Sequence, residues 1–240
     1  MEMLNQVLYF FIYSFVGWTM ESIYMSFREN RFVNQGFLYG PFCPIYGFGA
    51  LGIIQLFQWI SLLPLGNVSF LLVGVFSSIM VATGLEYMAG TILEKIFNVK
   101  WWDYSEESHN LNGRICIKYS LLWGGLAFLL IMLIQPMLEP LVEKTPDSYR
   151  QLLSILLILI MGVDTTVSTT DLIDLRKVLK AYEALSLEYY HQKVLKYRRF
   201  FFTFPFLFSI NKDLRNYDSR RILNEKIKKF KIQLKKNHFS

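Results

Sequence analysis

Three carboxylates stand inside runs that are otherwise apolar. Glu21 lies in Gly17-Trp18-Thr19-Met20-Glu21-Ser22, Glu86 in Gly84-Leu85-Glu86-Tyr87, and Asp164 heads the series Asp164-Thr165-Thr166-Val167-Ser168-Thr169-Thr170-Asp171. An acid in such a run is costly to desolvate, so it turns toward a bundle interior and finds a partner, which makes each one a candidate for ligand binding or proton transfer. The structural alternative is that each acid bonds a nearby hydroxyl, indole N–H or backbone group and orders the bundle. The Ser and Thr residues around Asp164 are placed for that role.

Two further stretches carry chemistry-bearing groups. The segment from Lys100 to Cys116 holds Trp101, Trp102, Asp103 and Tyr104, then Asn110, Asn112, Gly113 and Arg114. Asp103 and Asn112 offer hydrogen bonds, Asn112-Gly113 is a turn signal, and Arg114 suits either a structural ion pair or a bidentate grip on a phosphate or carboxylate. The aromatic residues suit a membrane interface. The stretch NQGFLYGPFCPIYGFG, residues 34–49, crowds Asn34, Gly36, Gly40, Pro41, Cys43, Pro44, Tyr46 and Gly47 into the front of an apolar run. Gly and Pro there let the backbone turn before a regular helix begins, and Pro41 and Pro44 suit a helix's first turn. Free N–H groups at such a helix start favour an anion. The plainer alternative is an interfacial turn anchored by Tyr39 and Tyr46.

The elements that position these groups are read from hydropathy. The chain has 240 residues, 53% hydrophobic and only 18% charged, and its apolar residues come in blocks. Five blocks approach the ~20 residues that cross a bilayer core: about 4–27, 41–63, 68–93, 118–138 and 149–172. The fold class expected is all-α, a polytopic bundle of five transmembrane helices followed by a cytoplasmic amphipathic and basic helical tail. Residues 1–172 are the membrane domain and 173–240 the tail. The first block has no basic start and no small-residue cleavage site, so it is read as a span rather than a signal peptide.

Charge sets the orientation. The tail from Ile173 carries seventeen Lys and Arg against six acids, and an outside N-terminus with a cytoplasmic tail sends 23 of the 25 basic residues to the inner side. Glu21, Glu86 and Asp164 then sit on three spans that run in the same direction, each in the inner half of the membrane, which suggests one polar chamber open to the cytoplasm. The tail's excess of positive charge points to anionic lipid headgroups rather than to nucleic acid. Within it, residues 171–185 have helical spacing, residues 197–208 are basic and then strongly aromatic, and residues 220–236 read as a basic helix. Cys43 and Cys116 fall at the cytoplasmic side and are expected as thiols. No metal or cofactor site is expected, since no His or Cys set has ligand spacing.

In order, Gly17-Trp18 with Glu21-Ser22, Asn34 with Gly36 to Pro41, Cys43-Pro44 with Tyr46-Gly47, Leu85-Glu86-Tyr87, and Trp102 to Ser105 with Asn112 to Cys116 form a set. This set resembles the bacterial family described as putative ABC transporter permease, also called putative ABC-transporter type IV or CmpB-like, over about residues 5–170. The resemblance implies a cell-membrane transport component that brings no catalytic residue with it. The chain has no G-x-x-x-x-G-K-[ST] loop, so a permease of this kind implies a separate ATPase subunit. Three functions are in view at this point. One is transport through the polar chamber. A second is an enzyme acting at the inner leaflet on a lipid-linked anionic substrate, with Glu21 or Glu86 as base and Arg114 on the phosphate. The third is a noncatalytic sensor or assembly factor. An anionic small molecule or lipid headgroup is the ligand these residues suggest.

Overall fold

The computed structural model describes residues 3–97 and 100–180. The chain divides into two compact units, Met1–Leu207 and Phe208–Ser240, and all described residues belong to the first. The expected features at 197–208 and 220–236 lie outside the described residues.

Each of the five apolar blocks forms helix. Helix α1 spans Met3–Glu29, α2 Pro44–Ile60 and α3 Asn67–Phe97. The fourth block is α4, Ile117–Leu129, a π-helical turn, Leu130–Ile134, and α5, Gln135–Lys144, in sequence. The fifth is α6, Asp147–Lys180, which passes through residue 172 without a break. Two boundaries differ from expectation. The Gly- and Pro-rich residues 36–43 stay non-helical, and α2 begins at Pro44, where a missing N–H breaks no ladder bond. The fourth helix continues past Pro136, and past Pro140 within α5, to Lys144, with the π turn Leu130–Ile134 immediately before the first of these prolines.

Three helical segments are long and apolar enough to cross a membrane: Asn67–Ile96, Ile117–Lys144 and Asp147–Asp174. Helix α1 has the length, about 40 Å at 1.5 Å per residue, but Asn5, Gln6 and its tyrosines dilute its apolarity. Helix α2, at 17 residues, reaches only about 25 Å, short of the ~30 Å hydrocarbon thickness. On length and composition the fold therefore supports three spans, and the expected count of five goes beyond that.

Helix α1 packs on α2, α2 on α3, α3 on α4, and α6 on α1. Leu8, Tyr9 and Tyr13 of α1 meet Ala50 and Ile54 of α2 and Val142 of α5 in one buried cluster, and Ile53, Phe57 and Ala127 form a second. The outward residues are apolar as well. On α6, Leu152, Leu156, Leu159 and Val163 are exposed, as are Val68, Leu72, Phe76 and Met80 on α3. Water does not tolerate apolar surface on this scale along whole helices, whereas lipid does.

One element lies outside the all-α expectation. A two-stranded antiparallel hairpin, β1 Asn110–Leu111 and β2 Ile115–Cys116, pairs Asn110 with Cys116 and Leu111 with Ile115. Its turn is closed by the Arg114 N–H donating to the Leu111 carbonyl at 3.0 Å, with Asn112 and Gly113 both at positive φ. Those are the residues that best tolerate this conformation.

Candidate functional site

Helices α1, α2, α3 and α4 and the π turn line a half-open cavity of about 210 Å³. Its wall is apolar, built from residues such as Val16, Ile45, Leu85, Leu126 and Leu130, and it is interrupted by Tyr13, Tyr46, Glu86 and Trp123. The π turn contributes Leu130 and Ile134. An inserted residue in a helix widens the local radius, and such insertions recur where a helix lines a site.

Glu86 is 4% exposed and is held from both sides. The Tyr104 hydroxyl donates to its Oε1 at 3.0 Å, and the Trp123 indole N–H donates to its Oε2 at 3.0 Å. The Trp123 ring meets Tyr46 edge to face, with centroids 5.6 Å apart, and the Tyr46 hydroxyl donates to Glu21 Oε1 at 2.8 Å. Glu21 and Glu86 are thus joined through two aromatic side chains rather than touching directly. The α1–α2 approach that permits this depends on Gly17, where a Cβ would fall 2.2 Å from Tyr46 Cγ. Tyr104 also stacks on Tyr119 at 4.6 Å. Burial, followed by the neighbouring Glu86 charge, pushes the Tyr104 phenol well above its ordinary value, which keeps it a donor.

The loop before α2 binds an anion that belongs to the chain itself. Consecutive backbone N–H groups of Tyr39 and Gly40 donate to Asp164 Oδ1 and Oδ2 at 2.8 and 2.7 Å, and Ser168 Oγ donates to Oδ1 at 3.0 Å. The Tyr39 hydroxyl reaches Asp171 Oδ2 at 2.6 Å, one further pair of turns along α6. Asn34 ties the same loop to α1, accepting from Trp18 Nε1 and donating to the Tyr39 carbonyl, both at 2.7 Å. Gly36 sits in the loop at φ +117° and Pro41 is exposed. Cys43 precedes α2, its N–H donating to the Ser14 carbonyl at 2.9 Å, and Pro44 opens the helix. Cys43 and Cys116 are both free thiols.

Arg114 joins neither Glu21 nor Glu86. Its Nε and Nη2 both donate to Glu94 Oε2, at 3.0 and 2.6 Å, and its guanidinium lies 5.4 Å from the Tyr87 ring centre. Asn112 Nδ2 donates to the Tyr87 hydroxyl at 3.0 Å, so the hairpin docks on α3 through Tyr87 and Glu94. Asp103 is a turn residue that accepts from the Ser105 N–H and hydroxyl and pairs with Lys100 at 3.1 Å. Partial burial works against its charge. The Ser105 and Lys100 contacts outweigh that and hold the carboxyl below its ordinary range.

The match to a known family covers these residues apart from Asp171. The family model described as Putative ABC-transporter type IV matches residues 8–169. The chain belongs to that family. A search of the curated proteins and one of the solved structures found no match. The type IV match runs from before Glu21 to beyond Asp164, and with the apolar helices it makes this a membrane protein of the ABC-transporter type.

Several polar contacts of this type IV chain escape a reading of sequence. Trp123 opens a Trp-Gly-Gly run that reads as helix packing, and Glu94 reads as an ordinary charged residue at a helix end. A second polar cluster also escapes that reading. Arg150 is buried and donates to Asn5 Oδ1 and Asp147 Oδ1, while the Tyr13 hydroxyl donates to Gln135 Oε1 at 2.6 Å. The available signal was an amide or a cation inside an apolar run.

Proposed function

We propose that this chain is the membrane subunit of a transport system in which the cavity between α1, α2, α3 and α4 accepts the transported molecule and a separate chain hydrolyses ATP. The observation that carries the reading is Glu86, a carboxylate in the wall of an apolar cavity inside the helices of an ABC-transporter-type protein. Ionisable groups in that setting mark substrate and ion pathways. The 240 residues hold no G-x-x-x-x-G-K-[ST] loop, and in this reading ATP is hydrolysed by a partner.

In this reading all five long helical segments cross the membrane, residues 1–172 are the membrane domain and residues 173–240 the tail. The N-terminus is outside, and the basic tail lies against anionic lipid of the inner leaflet of the cell membrane. An anionic small molecule or headgroup gains little support, because the donors that would hold it are taken: Arg114 by Glu94, and the N–H groups of Tyr39 and Gly40 by Asp164.

The test uses the full chain, tagged and extracted in mild detergent. Co-purification of an ATPase subunit and ATP-driven solute flux in vesicles, lost in Glu86→Gln with the complex still assembled, support the reading. Recovery of the folded chain with no ATPase subunit and no flux overturns it. For the orientation, Met3→Cys in a Cys43→Ser, Cys116→Ser background labels with an impermeant maleimide from outside intact cells. Labelling only after permeabilisation reverses the topology.

A further inference from the structure

The walls of the cavity specify the charge of what fills it. Among the described residues no lysine or arginine lines it, and Glu86 is its one carboxylate. Glu86 spends one lone pair of each oxygen on Trp123 and Tyr104, and a carboxylate has about four acceptor directions, so about half take no bond from the described residues. The rings of Trp123 and Tyr46, 5.6 Å apart, line the same space. A carboxylate with an aromatic flank, in a site of low dielectric, attracts a cation through both its charge and the ring quadrupoles.

The remaining surface is hydrocarbon. At about 210 Å³ the cavity exceeds the ~150 Å³ apolar cavity that holds a benzene, so the ligand has a body about one ring or one short alkyl chain in size. Resting on the reading of this cavity as the ligand-accepting part, we infer that it binds an organic ammonium with an apolar body, the cationic centre lying in the cavity beside Glu86, against the wall to which Trp123 and Tyr46 contribute. A neutral molecule of the same shape fills the hydrocarbon portion but leaves the carboxylate without a counter-charge. An anion meets Glu86 with no compensating group.

The probe is benzyltrimethylammonium, compared with its neutral isostere neopentylbenzene and with the anion phenylmethanesulfonate, by titration of the purified full chain in detergent. Trp123 supplies a fluorescence signal inside the site. The expected result is saturable binding of the cation about tenfold or more tighter than the neutral isostere and no competition by the anion. Glu86→Gln abolishes the preference and keeps the local bonds, because a glutamine carbonyl accepts from Trp123 while its amide donates to the Tyr104 oxygen.

Gly49→Leu is the second variant. Gly49 lines the cavity and a Cβ there meets nothing within 4 Å, so the leucine side chain occupies the ligand's space and cation binding is lost while the helical signal is retained. Three results overturn the inference: equal or tighter binding of the neutral isostere or the anion, no saturable cation binding by the folded chain, or cation binding unchanged in both variants. The assay needs neither an ATPase subunit nor a gradient, so failure of the transport reading leaves its outcome intact.

Discussion

The Gly40 N–H donates to Asp164 Oδ2 at 2.7 Å, although the two residues are 124 positions apart in the chain. Together with the Tyr39 N–H on Oδ1, this bond latches α6 to the loop that leads into α2. A Cβ at residue 40 would lie 2.9 Å from the same carboxylate oxygen, so a larger residue there displaces the Asp164 side chain.

Asp164→Asn replaces one acceptor by an amide that opposes a backbone donor. Leaving one such donor unsatisfied costs about 1–3 kcal/mol, so the thermal midpoint in detergent falls. Asp164→Ala, which strands both N–H groups, falls further. An unchanged midpoint in both variants would show that the latch contributes nothing to the fold.

Gly17→Val drives methyl groups into the Tyr46 ring and forces α1 and α2 apart. Overpacking of this kind costs about 1–3 kcal/mol, read as a lower yield of monodisperse protein and a lower thermal midpoint. Tyr46→Ala in the same chain restores part of the loss. Failure of that second change to rescue would place the strain elsewhere.

Arg114 and Glu94 form an ion pair about three-quarters shielded from solvent. Arg114→Lys keeps the charge but not two donors on one oxygen, and it is expected to lower stability by up to about 1 kcal/mol. Arg114→Ala loses more. Exchange of the two residues, Arg114→Glu with Glu94→Arg, recovers most of the loss if the pair is structural, and none if Arg114 serves a bound anion.

The Lys100–Cys116 segment should respond to pH at both extremes. Asp103 has a folded value below its ordinary 3.8, so its contribution is present above that value and is lost as pH falls further, through the folded value. Tyr104 is raised above its ordinary 10.0, so its contribution is complete below pH 10 and is lost as pH rises beyond it. Fluorescence of Trp101 and Trp102 against pH reports both limbs. Asp103→Asn flattens the acid limb and Tyr104→Phe the alkaline one.

Much of the architecture was legible in the sequence because hydropathy and helix breaking are local properties. The five apolar blocks are the five long helical segments, the Gly and Pro residues of 36–43 hold the chain out of helix until Pro44, and Asn112-Gly113 forms the turn its composition signals. Chain length in helix was less legible. The π turn before Pro136 was not read from the sequence, and two of its residues, Leu130 and Ile134, line the cavity.

The sequence by itself determined that Glu21, Glu86 and Asp164 stand within long apolar blocks and need partners there, because desolvating a carboxylate is costly wherever the fold puts it. Only the tertiary structure decided which partners they have. Asp164 receives the backbone N–H groups that the loop offers to an anion, Arg114 goes to Glu94, and Glu86 is left with an indole, a phenol and a cavity. These pairings join residues from 18 to 125 positions apart. They are set by the angles and depths at which helices pack, which no run of neighbouring residues records.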